Sequence, residues 1–94
     1  MDNQYRIRLP ERFDFSYHKT FYGHTNDALK QNTSQEVIVD FSEVDYLDSS
    51  ALGMLVMLQK KCAEQNKKVV IENASGVPSE ILQVANMGKI VEIR

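Results

Sequence analysis

Glu36-Val37-Ile38-Val39-Asp40-Phe41, followed by Val44-Asp45-Tyr46-Leu47-Asp48-Ser49-Ser50-Ala51-Leu52-Gly53, decides the fold. Three consecutive β-branched residues suit a strand buried on both faces, and such strands sit in parallel sheets. A parallel neighbour demands a crossover connection, usually a helix. The next segment supplies one. Asp48 is placed to cap it, and Leu52, Leu55, Val56, Leu58 and Cys62 line a broad apolar stripe. Lys60, Lys61, Glu64 and Gln65 give the helix a wet side, and Lys60, Lys61, Lys67 and Lys68 lie near its C-terminal end, where the helix dipole favours cations. Two adjacent serines therefore stand where a strand hands over to a helix. The first turn there has unsatisfied N–H groups and the positive end of the dipole, so it favours an anion.

The flanking segments extend this pattern. Tyr5-Arg6-Ile7-Arg8-Leu9 alternates apolar and charged residues and reads as a half-exposed strand. Pro10 breaks it, and Arg12-Phe13-Asp14-Phe15 resumes a short strand. Ser16 is placed to cap a first helix over Tyr17 to Gln31, with Tyr17, Phe21, Ala28 and Leu29 near one face. Asn32-Thr33-Ser34 reads as a polar loop. Lys68-Val69-Val70-Ile71-Glu72 is a further strand, Gly76-Val77-Pro78 a turn, and Ser79 to Met87 a short helix with Ile81, Leu82 and Ala85 inward. Gly88 is its expected stop, and Ile90-Val91-Glu92-Ile93 is a closing strand. The order β-β-α-β-α-β-α-β predicts an α/β fold with a mixed, mostly parallel sheet and helices packed on it.

Composition bounds the function classes. At 94 residues the chain is expected to be a single domain, 1–94, with no repeat or linker. It is 43% hydrophobic and 26% charged, as ordinary globular proteins are. A net charge of -2 and a pI near 5.6 argue against direct nucleic-acid binding. No apolar run reaches spanning length, and Met1-Asp2-Asn3-Gln4 opens without a signal peptide, so no membrane insertion is expected. A single cysteine, Cys62, excludes an internal disulfide and points to a reduced, cytoplasmic setting. No spacing suggests a metal site or a cofactor. His18 and His24 are six positions apart and read as surface histidines, while Cys62 reads as a buried structural thiol.

The residues resemble a known family. Asp48-Ser49-Ser50-Ala51-Leu52-Gly53 after a buried strand is similar to the D-S-[ST]-[GA]-L-G motif of the STAS domain, and within it of the bacterial anti-sigma factor antagonists. Glu11-Arg12-Phe13-Asp14 occupies the place of that family's G-E-L-D segment, with Pro10 where a glycine is common. Ile81 to Ile90 resembles its late helix-to-strand passage, and the likeness in element order runs from Tyr5 to Arg94. The Arg-Phe-Asp-Phe-Ser-Tyr-His version of the second segment looks closer to small stand-alone members of proteobacterial secretion, motility and biofilm circuits. The resemblance implies that a partner serine protein kinase phosphorylates Ser49. The unphosphorylated domain would bind an anti-sigma factor or related switch protein and release the factor it restrains, and a serine phosphatase would restore it. The chain stops after its last predicted strand, where many members carry a terminal helix. Part of the sheet face is therefore expected to be bare or open to a partner.

Each candidate has two readings. Asp48 caps and positions the helix, and the resemblance adds Asp48 and Ser49 themselves to the partner-binding residues. Ser50 is either an alternative target or a first-turn residue with a locally bonded hydroxyl. Ala51 and Gly53 either let a partner backbone approach or pack the helix on the sheet. With Leu52, the run Ser50 to Gly53 forms the expected contact surface beside Ser49. Asp14 falls in the loop after the second strand, near Ser49 in a parallel layout, as a partner contact or a solvated turn residue. Met54 and Met57 are placed toward the exposed side of the helix as a soft docking surface, with core filling as the other reading.

Catalysis is the rival class. A serine at a strand-to-helix turn invites comparison with a nucleophile elbow, but Leu47 and Ala51 stand where G-x-S-x-G has glycines. The expectation is a binding module and not an enzyme. The same fold also serves as a non-phosphorylated STAS subunit of membrane transport complexes, which is the alternative task.

Overall fold

The computed structural model describes residues 4–31 and 35–94. Four strands form the main sheet: β1 (Gln4–Arg8), β3 (Glu36–Asp40), β5 (Lys68–Glu72) and β6 (Glu92–Ile93), in spatial order β1-β3-β5-β6. Every pairing in it is parallel, with Ile7 opposite Val39 and Val39 opposite Ile71. Two shorter strands, β2 (Arg12–Phe13) and β4 (Tyr46–Leu47), pair parallel in a separate ribbon. The helices are α1 (His18–Lys30), α2 (Ser49–Ala63) and α3 (Gly76–Val84).

The strands are crossed in one direction, so right-handed connections put all three helices on the same face. Their buried residues, Phe21 and Ala28 of α1, Ala51, Leu55, Leu58 and Cys62 of α2, and Leu82 of α3, meet Ile7, Val37, Val39, Val69 and Ile71 in one core. Phe13, Phe21 and Phe41 pack at its upper end, with Phe13 and Phe21 ring centroids 5.4 Å apart. Thr25 is buried on α1, its hydroxyl donating to the Phe21 carbonyl at 3.0 Å.

Among the described residues no helix covers the other sheet face, yet Ile38 and Val70 on it are fully buried. A lattice of charged side chains covers them. Arg6 reaches Asp40 and Glu72, both at 3.0 Å. Arg94 spans Glu36 at 3.1 Å, Glu72 at 3.5 Å and Glu92 at 2.7 Å, and Lys68 pairs with Glu92. Alternation in β1 puts Gln4, Arg6 and Arg8 on this side, and long aliphatic stems close over the valine and isoleucine. The strand is buried on both faces as expected, but helices bury only one. Asp40 is the hub, accepting also from Ser42 N–H at 2.9 Å and Asn73 at 3.1 Å. Burial alone would raise its pKa, but the donors from Asn73, Ser42 and Arg6 outweigh that and hold it to about 2.

Several local expectations shift. The second strand ends at Phe13, because Asp14 accepts from Ser16 N–H and starts a 3-10 turn over Phe15–Tyr17. Asp14 therefore caps that turn in place of Ser16, and α1 begins one residue later than expected, at His18, with Tyr17 at its N-cap and no side-chain cap bond. The strand β4 was not expected at all. The third helix starts at Gly76, which takes φ +58°, and includes Pro78, which lies in the first turn where a missing N–H is harmless. It stops at Asn86, in the left-handed region at φ +57°, and Gly88 instead lies within a 3-10 turn over Met87–Lys89. That turn delays the last strand to Glu92. Met54 is buried and Met57 half-buried, so core filling is the better reading of Met54. The loop expected at Asn32-Thr33-Ser34 and the residues Met1, Asp2 and Asn3 lie outside the described residues.

Candidate functional site

Two parallel strands deliver two aspartates to one place. In the β2–β4 ribbon Arg12 is opposite Tyr46 and Phe13 opposite Leu47, so Asp14 and Asp48 are the next residue on each strand. Phe13 and Leu47 are buried beneath, which anchors both segments to the core. The N–H groups of Asp45 and Tyr46 donate to the Glu11 carbonyl at 2.8 and 3.2 Å. The Arg12 guanidinium lies 4.5 Å over the Tyr46 ring.

Each aspartate then caps a helical turn. Asp48 Oδ1 accepts the Ala51 N–H at 2.9 Å, and its Oδ2 accepts the Phe15 N–H at 3.4 Å. One carboxylate thus caps α2 and ties it to the loop after β2. Asp14 Oδ1 accepts the Ser16 N–H at 3.0 Å and the Ser16 hydroxyl, and its Oδ2 accepts from Arg12 Nε at 2.7 Å. The Ser16 hydroxyl first, then the Arg12 guanidinium, hold the Asp14 carboxyl below the usual carboxylate range.

Ser49 is the first residue of α2 and is exposed. Its hydroxyl makes no hydrogen bond to the described residues. Ser50 and Leu52 are half-buried and Gly53 is exposed. Ala51, expected in the contact surface, is fully buried and its side chain cannot touch a partner; it packs the helix on the sheet. Gly53 behaves in the opposite way. A Cβ built there meets nothing within 4 Å, so packing inside the protein does not explain the glycine. The expected residues Asp14, Asp48, Ser49, Ser50, Leu52 and Gly53 therefore gather at one end of the molecule, with Ala51 beneath them.

The first turns of α2 form a crest between two grooves. On one flank Ser50, Gly53, Met54 and Met57 join Phe15, His18 and Tyr22 around a groove of about 220 Å³. Phe15 is 60% exposed and stacks on His18, with centroids 4.3 Å apart and planes 13° from parallel. His18 Nδ1 lies 2.7 Å from the Phe15 carbonyl, a contact that places a proton on Nδ1. On the other flank Leu52 faces α3. Phe15 and Tyr22 are candidates that the sequence reading does not single out, and His18, read there as a surface histidine, joins them; their spacing of three and four residues is the available signal.

Other reactive groups stand apart. Cys62 is fully buried, and burial pushes its thiol up to about 11, so it stays protonated near neutral pH. His24 is half-buried, with its ring 6.3 Å from that of Tyr17. Among the described residues no group of three or more His, Cys, Asp or Glu side chains is placed to hold a metal ion. No helix among them is long and apolar enough to cross a membrane.

Comparison with known proteins gives consistent matches. A family model described as "Mlab, STAS domain" matches residues 1–92. A STAS-domain containing protein of Pseudomonas aeruginosa strain UCBPP-PA14 is 34% identical over 89 residues, covering 93% of this chain and 84% of that protein. A Thermotoga maritima protein described as a candidate anti-sigma factor antagonist superposes with a TM-score of 0.83 at 19% identity, over 99% of this chain and 80% of that one. The phosphorylated form of SpoIIAA, a Bacillus cell fate determinant, superposes with a TM-score of 0.73 at 17% identity, over 100% of this chain and 85% of that one. At these identities the two structures share the fold with this chain.

Proposed function

Because the chain belongs to the STAS domain family, we propose that it is a phosphorylation-switched binding module of the anti-sigma factor antagonist kind. Unphosphorylated at Ser49, it sequesters an anti-sigma factor or related regulator in the cytoplasm. A serine protein kinase modifies Ser49, and a serine phosphatase restores it.

The observation that carries this reading is the state of Ser49. Ser49 is exposed and mounted on the crest, its hydroxyl makes no hydrogen bond to the described residues, and Asp48 fixes the helix start beneath it. A phosphate there adds about -1.5 to -2 charge at pH 7. The helix dipole tolerates an anion at this end, so the fold itself is not expected to open. The surface changes instead. Asp14, Asp45 and Asp48 already lie at this end, and a dianion turns an apolar contact into one that must desolvate concentrated charge. A coupling of roughly 1–3 kcal/mol is enough for a switch.

The same arrangement speaks for binding over catalysis. His18 is committed to the Phe15 carbonyl, and neither His18 nor His24 hydrogen-bonds Ser49 or Ser50. A serine nucleophile needs such a base.

Affinity capture from lysate with wild type, Ser49→Ala and Ser49→Asp, with mass spectrometry of partners and of the Ser49 peptide, tests the proposal. Ser49→Ala should retain the partner and lose phosphorylation, and Ser49→Asp should retain less partner. Equal capture by all three variants refutes the switch. Recovery with an ATPase and a permease, and no modified peptide, assigns the chain to a transport complex instead.

A further inference from the structure

The segments that build the Ser49 end of the molecule are acidic, with one exception. Glu11 to His18 and Glu43 to Gln59 supply Glu11, Asp14, Glu43, Asp45 and Asp48, against a single arginine, Arg12, and no lysine. That arginine is fixed in place yet only partly used. Its Nε donates to Asp14 Oδ2 at 2.7 Å, and its guanidinium carbon lies 4.5 Å over the Tyr46 ring. Neither Nη nitrogen has a hydrogen-bond or ion-pair partner among the described residues, and the side chain is 69% exposed. A guanidinium held through Nε and stacked on a ring is pre-organised, and its remaining fork of donors matches the geometry of a phosphate.

The ribbon sets the direction of that fork. Phe13 and Leu47 are buried, and Asp14 and Asp48 keep extended backbones, so alternation puts Arg12, Asp14, Tyr46 and Asp48 together on the outer face. Arg12 already reaches along its own strand to Asp14. Asp48 continues the neighbouring strand, at a strand spacing of about 4.8 Å, and Ser49 is the residue after it.

We propose, resting on the reading of Ser49 as a modified residue, that Arg12 receives its phosphate: the Nη groups bind the phosphoryl oxygens while Nε stays on Asp14. One cation against a dianion leaves the crest negative, so a partner is still opposed. What Arg12 adds is a fixed seat for the phosphate, beside aspartates that would otherwise repel it.

The test needs no kinase. Phosphoserine is placed at position 49 of the full chain during translation, and ³¹P NMR follows its second ionisation, around pH 6. A cation in contact favours the dianion, so Arg12→Gln should raise the midpoint by about 1 pH unit and Arg12→Lys by less. Added salt should narrow the difference. Asp14, Asp45, Asp48 and His18 are common to these proteins and cancel in the comparison. In the phosphoprotein that retains Arg12, the ¹⁵N resonances of its side chain should move through the same midpoint. Phosphoserine at position 50 should titrate alike with and without Arg12. Because Arg12 is exposed, the unmodified Arg12→Gln protein should keep the wild-type amide spectrum away from the ribbon. Equal midpoints at position 49 with and without Arg12, a silent Arg12 side chain, or an equal effect at position 50 overturns the proposal. Such a result leaves the switch itself untouched, whereas equal partner capture by the Ser49 variants refutes the switch and leaves the seat measurable.

Discussion

Replacing Gly53 with alanine separates what the fold needs from what a partner needs. Gly53 lies inside a 15-residue helix, is exposed, and has open space where a Cβ would stand. A glycine in a helix interior is about 0.8–1.0 kcal/mol less favourable than alanine. No clash offsets that difference here, so Gly53→Ala should stabilise the protein by about 1 kcal/mol. For a domain of this size the gain raises Tm by roughly 4–8 °C. Circular dichroism at 222 nm during heating, with urea unfolding as a second measure, reads the change. The same methyl projects from the crest beside Ser50, where Gly53 also lines the aromatic groove. Partner capture by the stabilised variant should therefore weaken. An unchanged or lowered Tm would refute the reasoning about open space, and a higher Tm with undiminished capture would remove Gly53 from the contact surface.

The remaining predictions concern the frame around that crest. Asp48→Ala removes the cap on Ala51 N–H and the tie to Phe15, and should destabilise by about 1 kcal/mol, whereas Asp48→Asn keeps most of it; thermal unfolding of the two variants side by side reads the difference. The Asp40 carboxyl, held to about 2 from an ordinary 3.8, contributes roughly 2 kcal/mol that is present above pH 4 and lost as pH falls toward 2. Asp40→Asn should therefore be less stable at neutral pH and show a flatter decline over that window; parallel slopes in urea titrations at pH 4, 3 and 2 would contradict the assignment. Cys62 should resist a thiol reagent in the native protein at pH 8 and react at once in urea. Fast native labelling would mean the α2 stripe opens readily.

Long, patterned segments were legible and short competitions were not. The run Val37 to Val39 and the apolar positions of α2 announced the parallel sheet and its crossover, because both patterns extend over whole elements. Asp48 announced the cap because one side chain and one helix start coincide. The strand β4 has two residues, too few for any period, and it forms only because β2 supplies its partner. Asp14 and Ser16 are both good caps two residues apart, and the contest went to the carboxylate, which also draws on Arg12. Asn86 and Gly88 both tolerate a left-handed backbone, and only packing of Met87 into the core decided between them. In the site, helical spacing could not tell which of Ala51 and Gly53 points inward until the sheet was in place beneath them.

The double tie made by Asp48 limits how this end of the molecule can send a message. Its carboxylate grips its own helix and the loop beside it, and two buried side chains bolt the paired strands underneath. On the proposed reading, such a device works as a printing block and not as a lever: the raised surface keeps its shape, and what varies is the ink on it.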